Sequence, residues 1–294
     1  MWDIAKNTQE ETMIVVTGAA GKTGQAVIRA LVEREAAVRA FVYRDERRPL
    51  LKELGAQEVI VGDMRDAEAF RQATNGARAI YHICPNMNPD EISIGRIALA
   101  AAQTAGLKHF VYHSVLHPQT EAMPHHWHKL RVEEMLFESR IDYTILQPAA
   151  YMQNMLGAWK RIVEQGIYQV PYPVETRLGM VDLEDVAAVA AIVLTEAGHI
   201  GATYELAGPD VCTQTEIAAL LSQCLGRAVR AEEISHAAWA EGARAAGLGA
   251  YQIDTLLKMF RYYEQYGFWG NPNLLRWLLK REPTRLQDFF ERVT

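Results

Sequence analysis

The sequence predicts an α/β fold: a Rossmann-type, doubly wound parallel sheet followed by a smaller C-terminal α+β part. Three observations predict it. A glycine turn, Gly18-x-x-Gly21-x-x-Gly24, follows the apolar run Met13–Thr17. Short β-branched runs then alternate with segments of helical period, which forces right-handed crossovers and helices on both faces of a parallel sheet. Beyond Gln147-Pro148 the alternation loosens, and Pro171 and Pro173 mark a loop. The nucleotide-binding domain is placed at residues 12–150 with a return segment near 177–207, and 151–294 is mainly the C-terminal domain.

The first strand is Met13-Ile-Val-Val-Thr17, and the apolar positions Ala26, Val27, Ala30 and Leu31 after the turn fall on one helical face. Gly18 permits the tight turn out of the strand, Gly21 lets backbone amides approach a pyrophosphate, and Gly24 lets the helix pack close to the sheet. The helix N-terminus then presents N–H groups to an anion, with Ala20, Lys22 and Thr23 completing the candidate phosphate contacts. The tail Gly21-Lys22-Thr23 also matches a P-loop, but that motif needs a glycine five positions earlier, where Val16 stands. A second strand runs from Val38 towards Asp45. About 20 residues past the last glycine, an acidic side chain would accept bonds from a ribose 2′-hydroxyl. That position is Arg44, whose guanidinium suits a 2′-phosphate, with Arg47 and Arg48 nearby. NADP(H) is therefore favoured, while Asp45, one residue on, keeps NAD(H) open.

Further strands are read at Glu58–Gly62, Ala79–Cys84 and Phe110–Ser114, with a helix from about Glu91 to Thr104 and another near Leu183–Thr195 that rejoins the first domain. Ligands in such sheets sit at the carboxyl ends of strands. Asp63, Cys84, Pro85, Ser114 and Val115 lie at such ends, and Pro148 closes the sixth.

Composition agrees. The 294 residues are 49% apolar and 22% charged, values of an ordinary globular protein with a full core. The net charge of −6, with no basic segment larger than the one near Arg44, argues against nucleic acid. Met1–Thr12 is polar and acidic, without a signal-type apolar stretch, and no run approaches membrane-spanning length. A cytoplasmic protein, a monomer or homodimer acting on a small molecule away from membranes, is expected. Cys84, Cys212 and Cys224 form no metal or redox motif.

Other clusters invite chemical readings. His113, His117, His125 and His128 lack a carboxylate or cysteine at ligand spacing, so no metal site is assigned. Asp182, Glu184 and Asp185 read as helix-start residues, with Asp182 as N-cap. Tyr251, Phe260, Tyr262, Tyr263, Tyr266, Phe268, Trp269 and Trp277 gather 8 of the chain's 26 aromatics. Most are expected to form the core of the C-terminal domain. Tyr151, Met152 and Asn154, just after the sixth strand, are the better pocket candidates by position.

The glycine turn, Phe110-Val-Tyr-His-Ser114, Lys129, Tyr143-Thr-Ile-Leu-Gln-Pro148 followed by Tyr151-Met-Gln-Asn154, and Val181-Asp-Leu-Glu-Asp185 together resemble the NmrA-like branch of the atypical short-chain dehydrogenases/reductases. The resemblance runs from about Met13 to Pro283. It implies a Rossmann domain that prefers NADP(H), a small substrate-binding domain closing over the nicotinamide end, and an active-site role for Lys129. In the wider superfamily a tyrosine four residues before this lysine is the acid or base. Here that position is His125, able to relay a proton near neutrality. Lys129, His125 and Ser114 are thus the catalytic candidates, and Lys129 opens a helix from which it could bond the cofactor's ribose. Two classes follow: an NADP(H)-dependent oxidoreductase acting on a small, mostly apolar carbonyl, imine or conjugated acceptor, and a non-catalytic NADP(H)-binding redox sensor, which the missing tyrosine supports.

Overall fold

The structure, a computed structural model, describes residues 13–294. The expectations for Met1–Thr12 lie outside the described residues. The chain forms two compact units. The first comprises the described residues through Pro118, together with His128–Gln147 and Val186–Tyr204.

In the first unit, β1 (Ile14–Val16), β2 (Val38–Val42), β3 (Glu58–Val61), β4 (Ala79–His82), β5 (His109–His113) and β6 (Tyr143–Pro148) form a sheet in the order β3-β2-β1-β4-β5-β6. Every neighbouring pair in that run is parallel. A seventh strand, Ala202–Leu206 (β10, counting along the chain), lies beyond β6. The order reverses at β1, between β2 and β4, and this opens a crevice at the carboxyl ends of β1 and β4. The strands β1, β2, β4 and β5 are buried throughout, as strands covered on both faces must be.

Helices α1 (Lys22–Val32), α2 (Arg48–Glu53), α3 (Ala67–Thr74), α4 (Glu91–Ala105), α5 (Pro124–Glu138) and α7 (Leu183–Thr195) alternate with these strands. One core joins Phe41, Phe70, Ile80, Ile94, Phe110 and Leu136. The strands β1 to β4 end one to three residues before the apolar runs do, because the last residues turn into the crevice loops, and β5 begins and ends one residue earlier than expected. Arg39, buried within β2, is stabilised by Glu58 at 2.5 Å and by the carbonyls of Ala73 and Asn75 at 2.8 and 2.6 Å.

The second unit comprises Gln119–Trp127, Pro148–Asp185 and Glu205–Thr294. Gln119–Trp127 was expected in the nucleotide domain but packs with this unit, and the return segment begins at Val186 rather than 177. Strands β7 (Ala150–Tyr151), β9 (Leu178–Val181) and β11 (Val211–Cys212) make one small mixed sheet, and β8 (Ile167–Val170) pairs in parallel with β12 (Arg230–Glu233). Helices α6 (Trp159–Gln165), α8 (Gln214–Leu225), α9 (His236–Ala245), α10 (Ala250–Tyr266), α11 (Asn273–Leu279) and α12 (Leu286–Val293) complete an α+β unit. Its core includes Met152, Ile162, Tyr168, Leu221, Phe289 and Phe290.

The acidic trio proves structural. Asp182 accepts the Glu184 amide at 3.1 Å as an N-cap does and pairs with Arg292 at 2.7 Å, while buried Asp185 holds Arg281 at 2.6 Å and the Thr284 amide at 2.7 Å. No helix among the described residues is long and apolar enough to cross a membrane.

Candidate functional site

The glycine turn is fixed by its neighbours. Thr17 Oγ1 donates to the Ile83 carbonyl at 3.0 Å and accepts the Ile83 amide at 2.9 Å, tying the ends of β1 and β4 together. Gly18 has φ of 57°, in the left-handed region, and a Cβ there would meet the Ile83 oxygen at 3.0 Å. Gly21 is the extended N-cap of α1, exposed and without a side chain to cap the helix. A Cβ on Gly24 would stand 2.5 Å from the Gly18 oxygen. Gly24 therefore permits α1 to close on the turn's own backbone, rather than on the sheet as the sequence suggested. Ala20 lends its carbonyl to Gln25 at 2.8 Å, Lys22 is exposed and Thr23 is buried. Two positions that a Cβ would fill and an uncapped helix N-terminus make a cradle that fits a pyrophosphate.

At the end of β2, Arg44 is exposed, and its side chain makes no ion pair or hydrogen bond among the described residues. Asp45, its rival for the ribose, is held by Arg48 at 2.8 Å. A cavity of about 370 Å³ opens beside these residues, lined by Phe41, Tyr43, Asp63, Met64, Arg65 and Pro85 among others. Asp63 does not stand alone there. Arg65 pairs with it at 2.7 Å and holds its carboxyl below the usual carboxylate range. Cys84 departs further from expectation: its side chain is packed in the sheet core, and burial pushes the thiol up. Only its backbone is left for a ligand at the strand end.

Lys129 lies in the second turn of α5, which starts at Pro124, a residue suited to a first helical position. It does not open the helix. Its Nζ donates to Glu91 Oε1 at 3.0 Å and to the His113 carbonyl at 3.0 Å, and it stands 5.2 Å from the centre of the Tyr112 ring. The Tyr112 hydroxyl donates to the same Glu91 oxygen at 2.8 Å. Behind them, the His113 ring meets the Tyr81 hydroxyl, and both residues are buried. Burial, aided by the Lys129 charge, holds the His113 imidazole well below its ordinary value, so it is neutral.

Ser114 is also buried. Its hydroxyl donates to Glu133, whose carboxylate receives the Gln147 amide at 2.9 and 3.1 Å. Burial pushes the Glu133 carboxyl up. Sequence reasoning missed Glu91 and Glu133, because nothing in their spacing distinguishes them from surface helix acids.

The first unit thus brings together the turn, Arg44 and the Lys129 centre around the carboxyl ends of one sheet. His125 belongs to the second unit, half-buried, with its ring 4.3 Å from that of His126. Pro148 is buried at the end of β6. Of the pocket candidates, Tyr151 is half-buried and Asn154 exposed, but Met152 lies wholly within the core. Among the C-terminal aromatics, Phe260, Tyr263 and Phe268 are core residues, whereas Tyr266, Trp269 and Trp277 are exposed.

A parallel sheet with this strand order, a three-glycine turn at the switch point and a helical lysine whose ammonium reaches the end of the fifth strand define a dinucleotide-binding protein of the short-chain dehydrogenase/reductase kind. The model of the NmrA-like family matches residues 10–291. The chain belongs to that family. It is 33% identical to NAD(P)H azoreductase of Xenophilus azovorans over 74% of this chain and 76% of the other. It is 31% identical to quinone oxidoreductase 2 of Escherichia coli over 83% and 85% of the two chains. The crystal structure of the Escherichia coli NADPH-dependent quinone oxidoreductase complexed with NADPH superposes with a TM-score of 0.84 at 29% identity, covering 96% of this chain and 99% of that one. NmrA, a negative transcriptional regulator solved with NAD, has a TM-score of 0.78 at 17% identity over 97% and 95% of the chains, which shows the shared fold alone.

Proposed function

We propose that this protein is an NADPH-dependent reductase that passes hydride to a small, mostly apolar conjugated acceptor, a quinone or an azo compound. The observation that carries the reading is the pairing, on one sheet, of a phosphate cradle with a cation at the end of β2 whose side chain has no ion-pair partner among the described residues. The cradle of Gly18, Gly21 and Gly24 holds the pyrophosphate, Arg44 holds the 2′-phosphate, and the cavity edged by Tyr43 and Arg65 takes the adenine. NADH is accepted less well, since Asp45 is engaged by Arg48. When bound, NADPH supplies the hydride.

Lys129 acts at the nicotinamide end, orienting the ribose and stabilising negative charge as it builds up on the acceptor. A positioned tyrosine is dispensable in this reading, because a reduced quinone oxygen or azo nitrogen takes its proton from water or from an ammonium. The acceptors named for the two relatives, at 33% and 31% identity, support this choice over ketones.

Loss of nicotinamide absorbance, followed with quinones, azo dyes and simple ketones, tests the reading. Turnover is expected with quinones or azo compounds, faster with NADPH than with NADH. Tight NADPH binding without turnover of any acceptor would establish the sensor instead.

A further inference from the structure

Glu91 is only 4% exposed, although a carboxylate removed from water is costly unless donors replace its hydration. Two donors do so on one oxygen, the Tyr112 hydroxyl and Lys129 Nζ. The residue also occupies the first position of α4, fifteen residues long, where the helix dipole favours an anion.

The consequence falls on Lys129. An ammonium has three N–H donors on a flexible stem. Two of them are committed here, one to Glu91 on α4 and one to the carbonyl of His113 on β5. The side chain is 14% exposed and the Tyr112 ring flanks it, so the stem has little room to rotate. With two bonds anchored on separate rigid elements, the direction of the third N–H is fixed as well.

We propose that Glu91 is a positioning residue for the reductase reaction: shared between Tyr112 and Lys129, its carboxylate sets the direction in which the Lys129 ammonium presents its remaining N–H. Glu91 touches neither cofactor nor acceptor and acts through Lys129. The proposal rests on the role given to Lys129 above. It differs from a purely structural ion pair in one respect, since a structural pair would alter stability without coupling to Lys129 in the turnover step.

A double-mutant cycle on quinone reduction tests this, with wild type, Glu91→Gln, Lys129→Ala and the double variant compared for kcat, KM, NADPH affinity and melting temperature. Glu91→Gln should lower kcat about tenfold while KM and the NADPH Kd stay within about threefold. In the Lys129→Ala background the same change should cost nothing further. A folded Glu91→Gln enzyme with wild-type kcat, or losses that simply multiply in the double variant, overturns the proposal. If Lys129→Ala is impaired while Glu91→Gln is not, this proposal alone fails. If the wild type is inert, or Lys129→Ala turns over normally, the functional reading itself fails. Should Glu91→Gln not fold, Tyr112→Phe removes only the hydroxyl that steadies the carboxylate and is carried through the same cycle with the same criterion.

Discussion

Arg44 and Asp45 are adjacent and opposite in charge, and the local ion pair decides between them. Asp45 is satisfied by Arg48, whereas the Arg44 side chain has no partner among the described residues. Arg44→Ala should therefore erase most of the preference for NADPH over NADH, because a charge-assisted contact to phosphate is worth roughly 1.5–3 kcal/mol, about one to two decades in affinity. Titration of both cofactors against wild type and variant measures it; equal wild-type affinities would contradict the assignment. The sequence alone left the two residues in contention, since register at a strand end is uncertain by one residue and the Arg48 contact is a matter of folded geometry. Lys129 carries a second lesson. Its place on a helix was legible, its burial was not, because Glu91 is 38 residues away in the chain and meets it only when α4, β5 and α5 pack. Lys129→Ala leaves a buried carboxylate with one donor fewer, and should cost roughly 3 kcal/mol, or a fall in melting temperature of about 5 °C or more. Adding Glu91→Gln to that variant should raise the melting temperature again, as the stranded charge disappears.

At the scale of elements, the turn between β1 and α1 was the most legible part of the molecule. Its glycines are required by backbone, and backbone constraints show in a single sequence as glycines at a fixed spacing. Their tolerances differ, however. Gly24→Ala would press a methyl group against the Gly18 oxygen and the Ala19 Cα, at 2.5 and 2.7 Å, neither of which can move without opening the turn. Thermal melting should fall by the equivalent of about 1–3 kcal/mol, and NADPH binding should be lost with it. Gly21 is exposed, and its Cβ would meet only the Gly18 oxygen, at 3.2 Å. Gly21→Val should keep a near-normal melt while abolishing NADPH binding, because the branched side chain stands where the pyrophosphate approaches. A variant at Gly21 that bound cofactor normally would remove the turn from the site. The α5 start was misread by a turn even though Pro124 is a recognisable first-position residue. The histidines after it carry no apolar period with which to count turns.

For the whole molecule, the buried histidines govern behaviour in acid. Burial holds His82 and His109 down to about 4, from 6.5 in the unfolded chain, with the Arg78 charge adding to the effect at His109, and His113 is lowered as well. Each folded value lies below its unfolded one, so between about 6.5 and about 4 the unfolded chain binds more protons. The stability these groups confer is complete above about 6.5 and drains away as the pH falls towards 4, by on the order of 1 kcal/mol per pH unit for each histidine. Glu133, raised by burial, works in the opposite direction but is a single group. Melting temperatures from pH 7 to pH 4.5 should therefore decline steadily, and His109→Gln should flatten the slope; a flat wild-type profile would contradict the account. The division of the molecule into units was harder to foresee than its fold, since Gln119–Trp127 has no composition that marks it as belonging elsewhere. That division has a consequence for synthesis on the ribosome. Each unit is assembled from three separate stretches of chain, and the first is complete only once Tyr204 has been made. From the completion of β6 at Pro148 until Ala202–Leu206 has been made, β6 lacks the neighbour that β10 provides, so the nascent sheet ends on an unpaired strand throughout that interval. A chain stalled near residue 150 is therefore expected to aggregate more readily than one stalled beyond residue 206, in which β10 covers that edge.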